Sequence, residues 1–467
     1  MRRFTGKNLL LALLLLASPA PAQQPPSENP CTDSGRTTSA DAIIAACTAV
    51  IQSPQQTSKT LATAFAVRGN AHYGKEEHDR AIADFSEAIR LDSGLVLVRA
   101  NRALAYRAKG DLERAIADWT EVIRLNPRLS RAFSERGDTY RLNKDHDRAF
   151  ADFTEAIRLD PGNARAYGGR GAIYSARGDF AQAIAELTEA IRLDPRLIQA
   201  FVLRGAAYSQ INDYDRAIAD DTQAVRLDPT FAPALLDRGA AYSAKGEHDR
   251  AIADLTEVIR LNPKWAAPFY NRGLTYRRKG ELDRAIADYS EAVRLEPKWA
   301  LAFYNRGNAF QDKGEYQRAI ADFTEATRLE PKYASAFTNR GAAYGKTGDI
   351  TRAFADLSEA IRLDPKNAPA LSSRGVLYGT KGDFDRAIRD FDEATRLDPK
   401  HAAAFGNRAF AYFWKKDYDR TIADATEAIR LNPAYALAFE YRARAYRAKG
   451  DVDRAVADEE MAKRLKR

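Results

Sequence analysis

Cysteine is nearly absent: Cys31 and Cys47 are the only two in 467 residues, and no C-x-x-C pair occurs, which argues against thiol redox catalysis. Histidine is almost as scarce. His72, His78, His146, His248 and His401 are scattered with no partner spacing for a metal or a catalytic triad, so they read as surface turn residues. There is no glycine-rich phosphate loop and no nucleophile elbow, and no carboxylate pair stands outside the repeating pattern described below. An enzyme is therefore disfavoured, with no catalytic residue, cofactor or metal expected. Long apolar runs are missing as well. The stretch from Leu9 to Ala17 is too short to span a bilayer comfortably, and no other run approaches that role. Nor does one sign of charge dominate. The 72 basic and 64 acidic side chains leave a formal charge of +8 without the unbalanced basic stripe of a nucleic-acid binder.

What the chain has is periodicity. Proline returns every 34 residues, at Pro127, Pro161, Pro195, Pro229, Pro263, Pro297, Pro331, Pro365, Pro399 and Pro433, with no insertion or deletion between them. Twelve repeats can be laid from Ala62, the first covering 62–95 and the twelfth ending short at Arg467. In the third repeat (130–163), Phe133, Gly137 and Tyr140 stand at places 4, 8 and 11, and Ala149, Phe153 and Ala156 at places 20, 24 and 27. Both sets have helical spacing and put small and aromatic residues on one stripe, so each repeat predicts a helical hairpin in an all-α array. Gly at place 8 and Ala at places 20 and 27 let the backbones approach while rings fill the space beside them. Lys109-Gly110-Asp111 and similar triplets supply a left-handed stop and a capping side chain, and Asp160-Pro161 predicts a cap followed by a proline in a first helical turn.

This pattern resembles the tetratricopeptide-repeat family over everything except about the first 60 residues. The resemblance implies a right-handed superhelical solenoid whose first helices line a concave groove for peptides or protein segments. Chaperone-binding members of the family hold a terminal carboxylate with two Asn and several cations on three successive first helices. Asn70, Asn101 and Arg131 match three of those places, while Ala66 and Glu135 replace two expected cations. An internal segment or a folded partner is therefore the expected ligand.

The N-terminus carries Arg2, Arg3 and Lys7, then the apolar run, then Ala20-Pro21-Ala22, which together read as a signal peptide over 1–22 and predict export to a periplasm or beyond, with no transmembrane segment in the mature chain. A flexible lead-in is expected over 23–40, a capping helix and loop over 41–61, and the solenoid over 62–467. In an exported chain the two cysteines suggest a disulfide, with Cys47 at the place later repeats give to Phe85 or Phe153. Every repeat also carries Arg at place 7 and an acid at place 23, and this ladder of opposite charges predicts ion pairs between repeats.

Packing fixes the repeated places, so function is expected at the variable ones on the first helix: 2, 5, 9, 12 and 13. Repeats four to six offer mostly small side chains there. Repeats seven and eight offer Tyr270, Arg277, Arg278, Tyr304, Asn308 and Gln311, and repeat eleven offers Phe410, Phe413 and Trp414. Aromatic and Arg side chains carry binding energy at protein interfaces, so these nine form the expected partner-binding groove. Asp221, at a place held elsewhere mostly by aromatic residues or Leu, needs a cation such as Arg204 or Arg238, or a way out to water. The resulting expectation is an exported, non-catalytic scaffold for a protein or peptide partner, with a cell-envelope assembly or chaperone-like factor as the alternative and an enzyme of unrecognised site after that.

Overall fold

A computed structural model describes Cys31 and residues 39–466, so the expected signal peptide and nearly all of the lead-in lie outside the described residues. Among the described residues there are 25 helices and no strand. They form two compact bodies, one up to Asp237 and one from Arg238, with the boundary inside the helix Ala232–Lys245. The first body contains an N-terminal helix, Ala40–Gln52, and five hairpins that run from Ser58–Gly74 with His78–Leu91 to Ile198–Gln210 with Tyr214–Leu227. The second contains the second helix of repeat six, His248–Leu261, and six hairpins, from Ala266–Arg278 with Leu282–Leu295 to Ala436–Ala448 with Val452–Leu465. Within each body a first helix packs on its own second helix, which packs on the first helix of the next repeat.

The hairpin closes over place 8. A β-carbon built on Gly307 would lie 2.7 Å from Phe323 Cε1, and one on Gly375 would lie 2.7 Å from Phe391 Cε1, so glycine there is what admits the ring. Repeat two carries Ala103 against Trp119 and repeat eleven carries Ala409 against Ala425 in the same layer. In repeat five the layer holds Asp221, fully buried, with Oδ1 2.9 Å from where a β-carbon on Gly205 would stand. Arg204, one of its two expected cations, pairs instead with Asp220.

Place 15, between the two helices, is left-handed in all twelve repeats. Eight repeats use glycine, such as Gly110 and Gly348, each with φ of 86°, and four force Glu76, Lys144, Asn212 and Lys416 into φ of 61–63°. The next residue caps the second helix when it is Asp, whose carboxylate accepts from the backbone N–H three residues on, as Asp145 does from Arg148 at 3.1 Å. The longer Glu247, Glu281 and Glu315 make no such cap. At the other end the prediction needs correcting. Pro161 sits in the turn and the helix starts at Ala164, while Asp160 accepts from Gly162 N–H at 2.9 Å. The carboxylate closes a tight turn around the proline, and the helix is capped by the residue after it, Asn163.

The charge ladder is real but is wired differently from the expectation. In every repeat the place-7 Arg grips the place-23 acid of its own hairpin with two bonds, for example Arg306 Nε and Nη2 to Asp322 at 2.8 and 2.7 Å. The third nitrogen reaches the neighbour, as Arg306 Nη1 does to Ser290 Oγ at 3.1 Å. Among the place-7 arginines Arg408 also pairs with an acid of the preceding repeat, Asp392 at 2.8 Å, while a second set of ion pairs between repeats comes from another place, where Lys279 meets Asp249 at 2.8 Å and Lys313 meets Asp283 at 2.6 Å. The outer faces of the second helices carry exposed pairs within one helix, such as Arg158 with Glu155.

At the N-terminus a disulfide joins Cys31 to Cys47, both fully buried against Ala64. Arg68 Nη1 donates to Thr48 Oγ1 at 3.0 Å, the bond that Arg102 makes to Ser86 one repeat later. Thr48 thus stands where Ser86 does, and Cys47 where Phe85 does. The first helix of repeat one starts at Ser58, a turn ahead of position 62. His72 is not a surface turn residue: it is 7% exposed, with Nδ1 2.6 Å from Glu77 Oε2 and Nε2 3.9 Å from Asp84.

Candidate functional site

The first helices supply the faces that no further layer covers, but not all of their variable places are open. Place 5 is closed by place 34 of the same repeat, the residue just before the next helix. Tyr270 lies under Trp299 with ring centroids 4.6 Å apart, and Tyr304 lies under Tyr333 at 4.9 Å. Where place 5 is small the partner adjusts. Tyr435 fills the space over Gly406, Leu197 lies over Gly168, and Asn367 hydrogen-bonds Thr338 Oγ1 at 3.0 Å.

The expected cluster in repeats seven and eight is consequently occupied from within. Tyr270 is 9% exposed, its hydroxyl accepts from Asn305 Nδ2 at 2.9 Å, and burial pushes its pKa up to about 12. Asn339 Nδ2 donates both to Tyr304 Oη at 3.1 Å and to the buried Asn308 Oδ1 at 2.7 Å. Arg277 binds Asp312 at 2.7 Å, and Arg278 Nη1 reaches the carbonyl and hydroxyl of Ser243 at 3.2 Å. Gln311 is half-buried with Oε1 enclosed. Five of these six side chains form bonds that tie first helices to one another, while Gln311 Oε1 has no hydrogen-bond partner among the described residues. Tyr270 and Asn308 belong to the core edge.

The cluster in repeat eleven is different. Phe410, Phe413 and Trp414 sit at places 9, 12 and 13 of the helix Ala402–Trp414, beyond the reach of place 34. Gly379, at place 12 of the preceding repeat, makes room: a β-carbon there would stand 3.4 Å from Phe410 Cε1. Trp414 stacks on Phe384, with planes 5° apart and centroids at 6.5 Å, and meets Phe410 and Phe413 edge-on. Tyr441 packs against both phenylalanines at 5.3 and 5.8 Å. Trp414 nevertheless leaves 53% of its surface exposed, with exposed Val376 and Leu437 on the flanking first helices. An exposed indole already fixed by its neighbours loses little freedom on binding and offers a large apolar surface to an incoming side chain.

In the first body the two Asn of the partial carboxylate match bond to each other, Asn101 Nδ2 to Asn70 Oδ1 at 2.8 Å. Glu135, treated in the sequence only as a missing cation, is 4% exposed and gathers Arg107, Arg131 and Arg165 around it. The signal was an acid at place 6 flanked by Arg at places 2 and 12 of adjacent repeats.

Sequence comparison gives one family. Profiles described as TPR repeat match 273–314 and 307–348, and profiles described as Tetratricopeptide repeat match 100–164, 140–204, 198–231, 232–264, 334–367 and 368–401. No curated protein matches. Solved structures with similarity include the APC/C hetero-tetramer Cut9-Hcn1, at 17% identity over 91% of this chain and 92% of that one, with a TM-score of 0.46. YrrB, described as a TPR protein with an unusual peptide-binding site, is 24% identical over 39% of this chain and 95% of its own, with a TM-score of 0.34. MamA is 31% identical over 35% of this chain and 96% of its own, with a TM-score of 0.33.

Proposed function

Because this chain belongs to the tetratricopeptide-repeat family, we propose that it is a non-catalytic scaffold that binds a protein partner on the first-helix face, with Phe410, Phe413 and Trp414 as its apolar anchor. The observation that carries this reading is Trp414, half exposed and braced on three sides by aromatic rings. A partner that inserts an apolar side chain beside the indole desolvates it without first having to order it. We further propose that the protein works in an exported compartment, periplasmic or extracellular. This rests on the basic, apolar and small-residue order of residues 1–22 and on the disulfide between the only two cysteines.

Full-length protein carrying Phe410→Ala and Trp414→Ala tests the binding reading. Partners captured by the wild type and identified by mass spectrometry should bind the variant at least about 30-fold more weakly, the loss of two anchors near 1 kcal/mol or more each. Helicity should be unchanged. An identical set of captured partners at unchanged affinity sinks this assignment.

A further inference from the structure

Repeats two to four carry a charged arrangement that neither the core nor the aromatic anchor uses. Arg107 lies on the helix Val96–Lys109, Arg131, Glu135, Asp138 and Arg141 on Ser130–Leu142, and Arg165 on Ala164–Ala176. Glu135 Oε2 accepts from Arg107 Nη1 at 2.8 Å, an ordinary charge-assisted bond. Its other oxygen is treated differently. Oε1 is 3.8 Å from Arg131 Nε and 3.7 Å from Arg165 Nη1, close enough for attraction and too far for a hydrogen bond. Arg131 and Arg165 make no hydrogen bond among the described residues, and their side chains are 46% and 54% exposed. Each keeps its five N–H donors available. Asp138 takes Arg141 at 3.3 Å, and desolvation of its partly buried carboxyl pushes its pKa up. Four guanidiniums therefore face two carboxylates, leaving two positive charges in excess.

This is a counter-ion that holds two cations near one point without consuming their donors. We infer that Arg131 and Arg165 form a seat for the side-chain carboxylates of an acidic protein segment, with Glu135 as the built-in charge that keeps them together. The planar guanidinium fork suits carboxylate, and two guanidiniums within 4 Å of the same oxygen can grip one carboxylate jointly or two adjacent ones. The small excess of charge fits a short acidic run and falls short of what a nucleic-acid backbone requires. Beside the seat, Ala172, Ser175 and Ala176 on the next first helix leave the face low, so an extended segment can lie along it. The inference rests on the first-helix face being the binding face, but it names a separate place and a separate chemistry from the aromatic anchor.

The test is binding of a fluorescent octaglutamate peptide to the full chain at low ionic strength. Arg131→Ala with Arg165→Ala should weaken binding about tenfold or more. The same net charge removed from the outer faces, by Arg124→Ala with Arg158→Ala, whose side chains pair with Glu121 and Glu155, should change it by less than about twofold. Glu135→Gln, which keeps an acceptor for Arg107 and removes the charge that gathers the two guanidiniums, should weaken binding several-fold even though it adds net positive charge. Circular dichroism and melting report whether each variant is folded, and Arg131→Lys with Arg165→Lys should restore part of the affinity should the alanine pair prove unstable. Equal losses from both double variants would reduce the effect to net charge and overturn the seat. Unchanged or tighter binding by a folded Glu135→Gln protein would overturn the role of Glu135, and saturation by free glutamate at the same carboxylate concentration would overturn a peptide ligand. Octaglutamate offers nothing to an aromatic anchor, so a failure here leaves the Trp414 reading standing, and unchanged partner capture by the Trp414 variant leaves this one standing.

Discussion

Replacing Arg306 by Ala should open the eighth repeat, because it strands a charge that has nowhere to go. Asp322 is 7% exposed at the side chain, and both its oxygens are occupied by Arg306. Breaking a buried pair by removing one partner costs about 3 kcal/mol, because the remaining carboxylate is desolvated without compensation. The reverse change is gentler. In Asp322→Asn the guanidinium keeps its bond to Ser290 and a 19% opening to water, so the loss should be about 1–2 kcal/mol. Arg306→Met with Asp322→Leu removes both charges and should cost less than Arg306→Ala alone. A stacked array opens locally, so the assay is native-state hydrogen exchange resolved by segment. A cost of about 3 kcal/mol corresponds to roughly a hundredfold faster exchange in the amides of 300–329, with residues beyond 400 unaffected. Exchange accelerated less than tenfold, or a double variant as damaged as the arginine single, would refute the reasoning. Spreading of the effect equally into repeat seven would return the pair to an inter-repeat role.

Three further outcomes follow from the same geometry. Gly307→Ala gains about 1 kcal/mol of helix propensity but drives a β-carbon to 2.7 Å from Phe323, so overpacking should win by about 1–2 kcal/mol in a thermal melt, and an unchanged melt would refute the contact. Reducing Cys31–Cys47, which closes a 16-residue separation, should release about 3 kcal/mol in the chain-entropy account, seen as faster proteolysis around residues 40–56 with the later repeats protected. Asp237 is raised by burial from 3.8 to about 6, so its native carboxyl binds a proton more readily than the unfolded one. Its charge should cost up to about 3 kcal/mol above pH 6, relieved as pH falls toward 4. Asp237→Asn should then exceed wild type in urea stability at pH 8 and match it at pH 4, and a difference that does not change with pH would refute the shift.

Place-by-place reading of the sequence reached the hairpins because Gly137, Phe153 and their equivalents recur at fixed spacing, and helical period converts spacing into faces. It could not resolve the wiring of the charges. In a strict repeat, Arg306 is 16 residues from its own Asp322 and 18 from Asp288, and identical ladders follow from either choice. Tyr270 and Tyr304 were misplaced for a related reason. Their covers, Trp299 and Tyr333, come 29 residues later in a loop, outside the helical period that defined the open face. Places 9, 12 and 13 lie outside that cover, so the reading of Phe410, Phe413 and Trp414 met no such obstacle. Glu135 and Asp221 were visible as departures, but which groups surround a departure depends on side chains from adjacent hairpins.

An arginine whose acid lies in its own hairpin has a consequence for how such a chain can change over generations. Cutting out residues 300–333 as a block would leave every surviving place-7 guanidinium with its carboxylate, and would bring Arg340 to Ser290, a hydroxyl like the one it loses at Thr324. Duplication or loss in whole steps of 34 therefore orphans no buried carboxylate of the place-23 ladder, and only exposed pairs such as Lys313 with Asp283 are broken at the seam. Length becomes a freely heritable variable, and selection can act on how many hairpins a descendant carries without first repairing its interior.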